Sequence, residues 1–252
     1  MNILVTNDDG INSEGIKILA NLMKPFGNVY VVAPDSEKSA VGHGITTHRP
    51  LRIKKMDNYL SGVKLAYQVS GTPADCVKMG IEHILDIHPD LLVSGINFGQ
   101  NLGTDVLYSG TVSAAIEGSI NDISLCMAFS LTGRAKMNYD AAKAYIPKII
   151  STAIADSFRG TILNVNIPSV NRENINGVAY TELGVQKYSN AFIEREDPHG
   201  GKYYWMSGVP EKMDNNERSD IAAIEDNVIS VTPLQYDMTN YFLLKQKKDF
   251  NL

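Results

Sequence analysis

The sequence predicts an α/β protein with a doubly wound, mostly parallel sheet and an antiparallel hairpin extension towards the C-terminus. Three observations carry this prediction. Asn2–Thr6, a helical stretch and Val29–Ala33 give strand, helix and strand within about 30 residues, the span of a βαβ unit. Short apolar runs of strand length then recur at Asp90–Asn97, Leu125–Phe129 and Thr161–Asn166, with helical patterns between them. Beyond Asn176 the texture changes to short alternating segments rich in aromatic residues. Residues 1–176 are accordingly expected to form the core, and residues 177–252 an extension that carries the hairpin, an oligomer contact and final strand and helix elements.

Each element has its own signal. In the first helix Ile16, Leu19, Ala20 and Met23 fall on one face, with Asn12 or Ser13 as cap and Pro25 to Gly27 as the stop. Val29–Ala33 is closed by Pro34. Leu51–Ile53 and Val63–Val69 alternate apolar and polar residues across a turn and predict an antiparallel hairpin. Thr72-Pro73-Ala74-Asp75 is a capped helix start, followed by an apolar face of Ala74, Val77, Ile81, Ile84 and Leu85. A helix is expected over Val112–Gly118, and a longer one from Tyr139 to Ser157, kinked by Pro147. Val178–Leu183, Val185–Ile193 and Tyr203–Met206 are expected as antiparallel strands, with a charged turn at Glu194–Gly201. A short helix from Ser219 or Asp220 to Ile224 and a strand Val228–Thr232 complete the series.

Composition narrows the function. With 44% hydrophobic and 20% charged residues over 252 positions, the chain belongs with globular proteins and not with disordered or fibrous ones. A formal net charge of -5 gives no general attraction to a nucleic-acid backbone, so no nucleic-acid polymer is expected as a stable partner. No stretch reaches the roughly 18 apolar residues of a membrane span, and the opening residues lack a basic, apolar leader pattern. Cys76 and Cys126 both sit in apolar segments and suggest reduced thiols. A cytoplasmic protein with no membrane partner is expected.

Two stretches carry chemistry. Asp8 and Asp9 follow the first strand directly, and two carboxylates beside a core are costly unless a cation, a proton or several donors compensate them. A hard divalent cation is the simplest compensator, although Asp9-Gly10 is also an ordinary turn signal. The second stretch runs from Asn97 through Asn101, Ser109, Gly110 and Thr111 into a helix. Such a turn presents backbone N–H groups and the positive end of the helix dipole, an anion pocket, without the lysine of a P-loop. Metal and anion donors on one sheet edge are what phosphoryl chemistry requires. The polar loop Asp35–Arg49 leaves the same edge and offers Ser36, Lys38, Ser39, His43 and His48 as a further wall.

Asn7-Asp8-Asp9-Gly10, Ala33-Pro34-Asp35 leading to Lys38-Ser39, Gly71–Cys76, Ser94–Gly118 and Ser230–Leu234 resemble, in order and over almost the whole chain, the SurE family of stationary-phase survival proteins. The resemblance implies a Rossmann-like core and a metal-dependent 5′/3′-nucleotidase acting on nucleoside monophosphates, with exopolyphosphatase activity in parts of the family. It implies one divalent metal ion per subunit, Mg²⁺ or Mn²⁺, held by Asp8, Asp9, Ser39 and Asn97, with Asp8, Asp9 and Asn97 catalytic. Asn101, Ser109, Gly110 and Thr111 fall in the phosphate-facing loop. It further implies a C-terminal region exchanged between subunits of a homodimer or homotetramer, where Tyr188, Phe192, Tyr203, Tyr204 and Trp205 supply the rings such a contact buries. After Ser39 the chain departs from the Gly/Ser/Asn-rich run common in the family and reads Ala40-Val41-Gly42-His43-Gly44. A metal-dependent nucleotide-sugar transferase and a non-catalytic phosphometabolite sensor would use the same residue types.

Overall fold

The computed structural model describes residues 1–133, 137–156, 160–189, 192–213 and 216–246. In chain order it runs β1 (Asn2–Thr6), α1 (Glu14–Met23), β2 (Asn28–Pro34), β3 (Ile53–Lys55), β4 (Val63–Val69), α2 (Pro73–Met79), β5 (Leu91–Phe98), α3 (Gly110–Ile120), β6 (Leu125–Thr132), α4 (Asp140–Ala155) and β7 (Ile162–Pro168). Then follow β8 (Val178–Tyr180), β9 (Gln186–Ser189), β10 (Phe192–Glu196), β11 (Lys202–Met206), β12 (Val209–Lys212), α5 (Asp220–Glu225), β13 (Ile229–Leu234) and α6 (Tyr241–Gln246).

Nine strands form one sheet in the order β3-β4-β2-β1-β5-β6-β7-β13-β8. The six from β4 to β7 are parallel, β3 runs antiparallel on one edge, and β13 runs antiparallel to β7 on the other side. The chain winds outward from β1 through β2 to β4, then crosses back to β5 on the opposite side of β1. In open α/β sheets that reversal opens a crevice beyond the carboxyl ends of the two strands, here β1 and β5.

Both faces of the sheet are buried because successive residues of β1 point to opposite sides. Ile3 and Val5 join Ile16, Leu19, Phe129, Ile146 and Ile150 in the layer under α1 and α4. Leu4 joins Val77, Leu92, Val112 and Cys126 in the layer under α2 and α3. Both cysteines are free and buried, as their apolar surroundings suggest. In α1 the buried residues include Ile16, Leu19, Ala20 and Met23, the predicted face. Thr72 and Asp75 form the predicted capping box of α2. Pro147 lies inside α4, whose expected end at Ser157 falls outside the described residues.

Three expectations about the later chain are corrected. Val178–Tyr180 is parallel to β13 and extends the main sheet, because its partner lies about 50 residues further on, beyond the reach of local patterning. The expected strand Val185–Ile193 divides into β9, paired with β12, and β10, paired with β11; residues 190 and 191 are outside the described set. The two pairs are separate two-stranded sheets, in which Ser189 faces Val209 and Phe192 faces Met206. Glu194 and Glu196 lie in β10, not in a turn, which begins only at Asp197. Glu194 is held there by Lys202 at 2.8 Å and by the Tyr204 hydroxyl at 2.7 Å, so its charge finds partners across the ribbon.

One close approach sets the spacing of α1 and β5. A Cβ on Gly15 would stand 2.0 Å from the carbonyl oxygen of Ile96. Gly15→Ala gains about 1 kcal/mol of helix propensity, whereas overpacking against backbone costs about 1–3 kcal/mol. The expected outcome is a net loss of up to about 2 kcal/mol, read as a lower urea midpoint at unchanged slope.

Candidate active site

The carboxyl ends of β1 and β5, the segment after β2 and the amino end of α3 meet at the crevice. Asp8 is buried where β1 ends. Its Oδ2 accepts the Thr111 backbone N–H at 3.0 Å and its Oδ1 accepts the Thr111 hydroxyl. The Asp8 carbonyl accepts the Lys38 N–H at 2.8 Å, which brings the segment carrying Ser39 alongside. Asp9 Oδ2 accepts the Phe98 N–H at 3.1 Å, which ties it to the end of β5.

Glycines permit these approaches. A Cβ on Gly110 would lie 2.9 Å from the Asp8 Cβ. Gly95, within β5, has φ +129°, and a Cβ there would stand 2.3 Å from the Phe129 carbonyl oxygen. The β5–β6 register is irregular between Ser94 and Asn97, a local distortion of the kind that re-aims side chains at sheet ends.

The structure brings together Asp8, Asp9, Gly110 and Thr111, with Asn97 and Ser39 on the adjoining segments. Asn97 donates its amide N–H to the Gly99 carbonyl at 2.9 Å, so its oxygen is the atom left to serve as a ligand. Ser39 is exposed and its hydroxyl donates to Glu37 Oε1 at 2.5 Å. Two hydroxyls of the expected phosphate loop have protein partners, although the one that only accepts keeps its own O–H able to donate. That of Thr111 clasps Asp8, and that of Ser109 accepts the Val112 N–H at 3.1 Å as the cap of α3. The first-turn donor left over is the Gly110 N–H.

Asn101 belongs to a different cluster, a buried polar layer under the loop. Its N–H donates to Asn166 Oδ1 at 2.8 Å, its side chain donates to the Ser130 hydroxyl at 2.8 Å, and its carbonyl accepts from Asn164 and Asn166. The loop is also braced from the later chain. Asp220, fully buried, accepts the N–H groups of Gly103 at 2.8 Å and Gly184 at 2.9 Å, while the Thr104 hydroxyl donates to the Gln186 carbonyl at 2.7 Å.

Burial raises the Asp8 carboxyl above its ordinary range against the opposing pull of Thr111, and the charge of Glu37 adds to the rise. Burial and then the charge of Asp8 push Asp9 up to about 6, with Glu37 again contributing. Glu37 is a third carboxylate at the site that the loop's alternating charges gave no reason to single out. The Asn7 amide donates to the Gly10 carbonyl at 3.0 Å and the Ser13 hydroxyl at 2.9 Å, while its buried oxygen meets no donor. Uncompensated negative charge, the Asn97 amide oxygen and an orphaned acceptor suited to a coordinated water together fit a hydrated divalent cation. Among the described residues no group of three His, Cys, Asp or Glu side chains is arranged for a metal, in keeping with a set that mixes carboxylates and neutral oxygens.

The pair has a measurable consequence in chelated protein. Asp9 is raised above its unfolded value, so it stabilises the fold below pH about 4 relative to neutral pH, and that stability is lost as pH rises through about 6. Asp9→Asn should flatten the stability profile between about pH 4 and 6, by on the order of 2 kcal/mol or less, in urea unfolding followed with EDTA present.

Known proteins share this chain's sequence and fold. Residues 3–190 match the family model described as "Survival protein SurE". The chain is similar to the protein named 5′-nucleotidase SurE of Alkaliphilus metalliredigens, 49% identical over 254 residues that cover 100% of this chain and 99% of that one. It is 49% identical to the protein of the same name in Carboxydothermus hydrogenoformans, over 98% of this chain and 95% of that one. Its structure resembles the crystal structure of the SurE protein from Aquifex aeolicus, with a TM-score of 0.85, 39% identity and 98% of each chain covered.

Proposed function

The chain belongs to the SurE family, and from that premise we propose that it is a divalent-metal-dependent phosphomonoesterase hydrolysing nucleoside 5′- and 3′-monophosphates to nucleoside and phosphate. The observation that carries the reading is the Asp8–Asp9 pair, raised by burial at the sheet's reversal point and closed by the amino end of α3. Short polyphosphate is a second substrate of the same reading, since its terminal phosphate presents the same oxygens.

Asp8, Asp9, Ser39 and Asn97 would hold one ion, with Mg²⁺ or Mn²⁺ suited to an all-oxygen set. When bound, it would supply Lewis-acid polarisation of a phosphate oxygen and a lowered pKa for a coordinated water. The chain's own groups divide the remaining work. Thr111 uses both donors to orient Asp8, and each carboxylate oxygen keeps a further lone pair for the ion. Asp9 has one oxygen fixed by Phe98, which leaves the other to take the proton of the attacking water and pass it to the leaving nucleoside oxygen. The Gly110 N–H and the α3 dipole face the phosphate oxygens as charge shifts in the transition state. Ser109 caps α3 and keeps an O–H able to donate to a phosphate oxygen, and Asn101 anchors the phosphate-facing loop from beneath.

The reading extends to assembly and compartment. The β10–β11 arm exposes Phe192 and Trp205, at 63% and 65%, with Tyr204 and Met206 beside them. We propose that these rings pack on a second copy, in a homodimer or homotetramer. Two buried free thiols and the absence, among the described residues, of any helix long and apolar enough to cross a membrane accord with a cytoplasmic enzyme.

A panel of nucleoside 5′- and 3′-monophosphates against Mg²⁺, Mn²⁺ and EDTA should release phosphate without any acceptor, stop with chelator and resume with metal. Full turnover in excess EDTA would sink the metal assignment, and nucleotide binding without turnover under every metal would favour a sensor. For the arm, light scattering at micromolar concentration should give at least a dimer. Replacing 188–206 by a short glycine linker should give a folded monomer; a monomeric intact chain would show that the arm does not join subunits.

A further inference from the structure

The loop from Asp35 to Arg52 carries Ser39 near its start and is fastened along its length. The Gly42 N–H donates to the Tyr108 carbonyl at 3.0 Å. Thr46 donates its N–H at 3.0 Å and its hydroxyl at 2.6 Å to the carboxylate of Asp75, and the Thr72 hydroxyl donates to the Gly44 carbonyl at 2.7 Å. Between these ties stands an ion pair that the chemistry above does not use. His43 Nε2 lies 2.8 Å from Glu117 Oε2, with the histidine side chain 31% exposed and that of the glutamate 8% exposed.

Glu117 is an unusual residue for its place. It lies on α3 within Ala114-Ala115-Ile116-Glu117-Gly118, a stretch otherwise small or apolar and packed against the sheet. Its other oxygen accepts Asn121 Nδ2 at 2.9 Å and has Lys78 Nζ at 4.0 Å. The hydrogen bond from His43 is the largest influence holding its carboxyl below the ordinary range. A buried carboxylate so supplied remains anionic and keeps a donor opposite it.

A histidine paired with a carboxylate near a hydrolytic site suggests proton transfer, but the helix geometry argues otherwise. Glu117 follows Thr111 by six residues, about 9 Å along the axis at 1.5 Å each. Thr111 is the residue that grips Asp8, so the Glu117 carboxylate is set along α3 from that grip by more than one hydrogen bond or one bridging water spans. What the pair can do is hold the loop.

We propose that His43 is a positioning residue, whose bond to Glu117 latches the loop onto α3 and thereby sets where Ser39 stands against the Asp8–Asp9 pair. The inference rests on the reading of Ser39 as a metal ligand. Among the described residues the Ser39 hydroxyl bonds within its own loop, to Glu37; the Lys38 N–H on the Asp8 carbonyl holds the loop on one side of it, and the ties further along hold it on the other. Loss of supporting contacts of this kind costs roughly 10-fold or more in metal affinity.

The test uses the full chain and two readouts, amide hydrogen exchange and Mn²⁺ binding by calorimetry. His43→Ala should speed exchange at Gly42 and Thr46 at least tenfold and weaken Mn²⁺ binding roughly 10-fold. His43→Gln, which retains an N–H donor for Glu117, should restore both values towards those of the unaltered chain. Unchanged exchange at Gly42 and Thr46 in His43→Ala overturns the latch. Weak Mn²⁺ binding in Ser39→Ala beside normal binding in His43→Ala overturns it too, with the ligand reading intact. Normal binding in Ser39→Ala overturns the ligand reading, and the latch then has no ligand to position.

Discussion

The site depends on one interaction more than any other, the grip of Thr111 on the Asp8 carboxylate. It joins the end of the central strand β1 to the amino end of α3 across more than a hundred residues of sequence. Its strength comes from position, because a charge-assisted bond in a buried place is worth more than the same bond in water. The two partners also answer each other's need. An isolated buried carboxylate would be prohibitive, and the first turn of a helix has N–H groups without partners. Each removes the other's deficit, and the strain falls on Asp9, which has a like charge beside it and a single donor.

The contrast between local and distant partners explains how much of the fold and the site is legible in the sequence. The parallel core is legible because each strand is an apolar run and each helix carries its own face, cap and stop, all local signals. The capping box at Thr72 and Asp75 and the buried face of α1 are of this kind. Asp8 and Asp9 are legible because adjacent acids at a strand end demand an explanation. Strand partners are less so: β8 finds β13 far along the chain, and nothing in Val178-Ala179-Tyr180 names that partner.

The loop hydroxyls carry structural tasks that their spacing does not announce, for a related reason. Ser109 and Thr111 are of the type that meets phosphate, yet a hydroxyl beside a helix start has nearer claims on it, from the helix's own N–H groups and from a neighbouring carboxylate. Glu117 carries a signal that can be followed. An acid flanked by alanine, isoleucine and glycine in a buried helix must have a partner, and a histidine on the facing loop is a suitable one. Glu37 carries none, since exposed charges alternate throughout its segment.

The ties made by Asp220 bear on the order in which the molecule is made. Gly103 and Gly184 are both held by this one carboxylate, more than a hundred residues beyond the first of them. On a ribosome, the six parallel strands of the sheet are all synthesised before Asp220, and domains fold as their elements become available. The brace on Gly103 can therefore close only once α5 has been made. The segment that Asp220 braces is thus completed from a part of the chain made after the parallel strands it rests on.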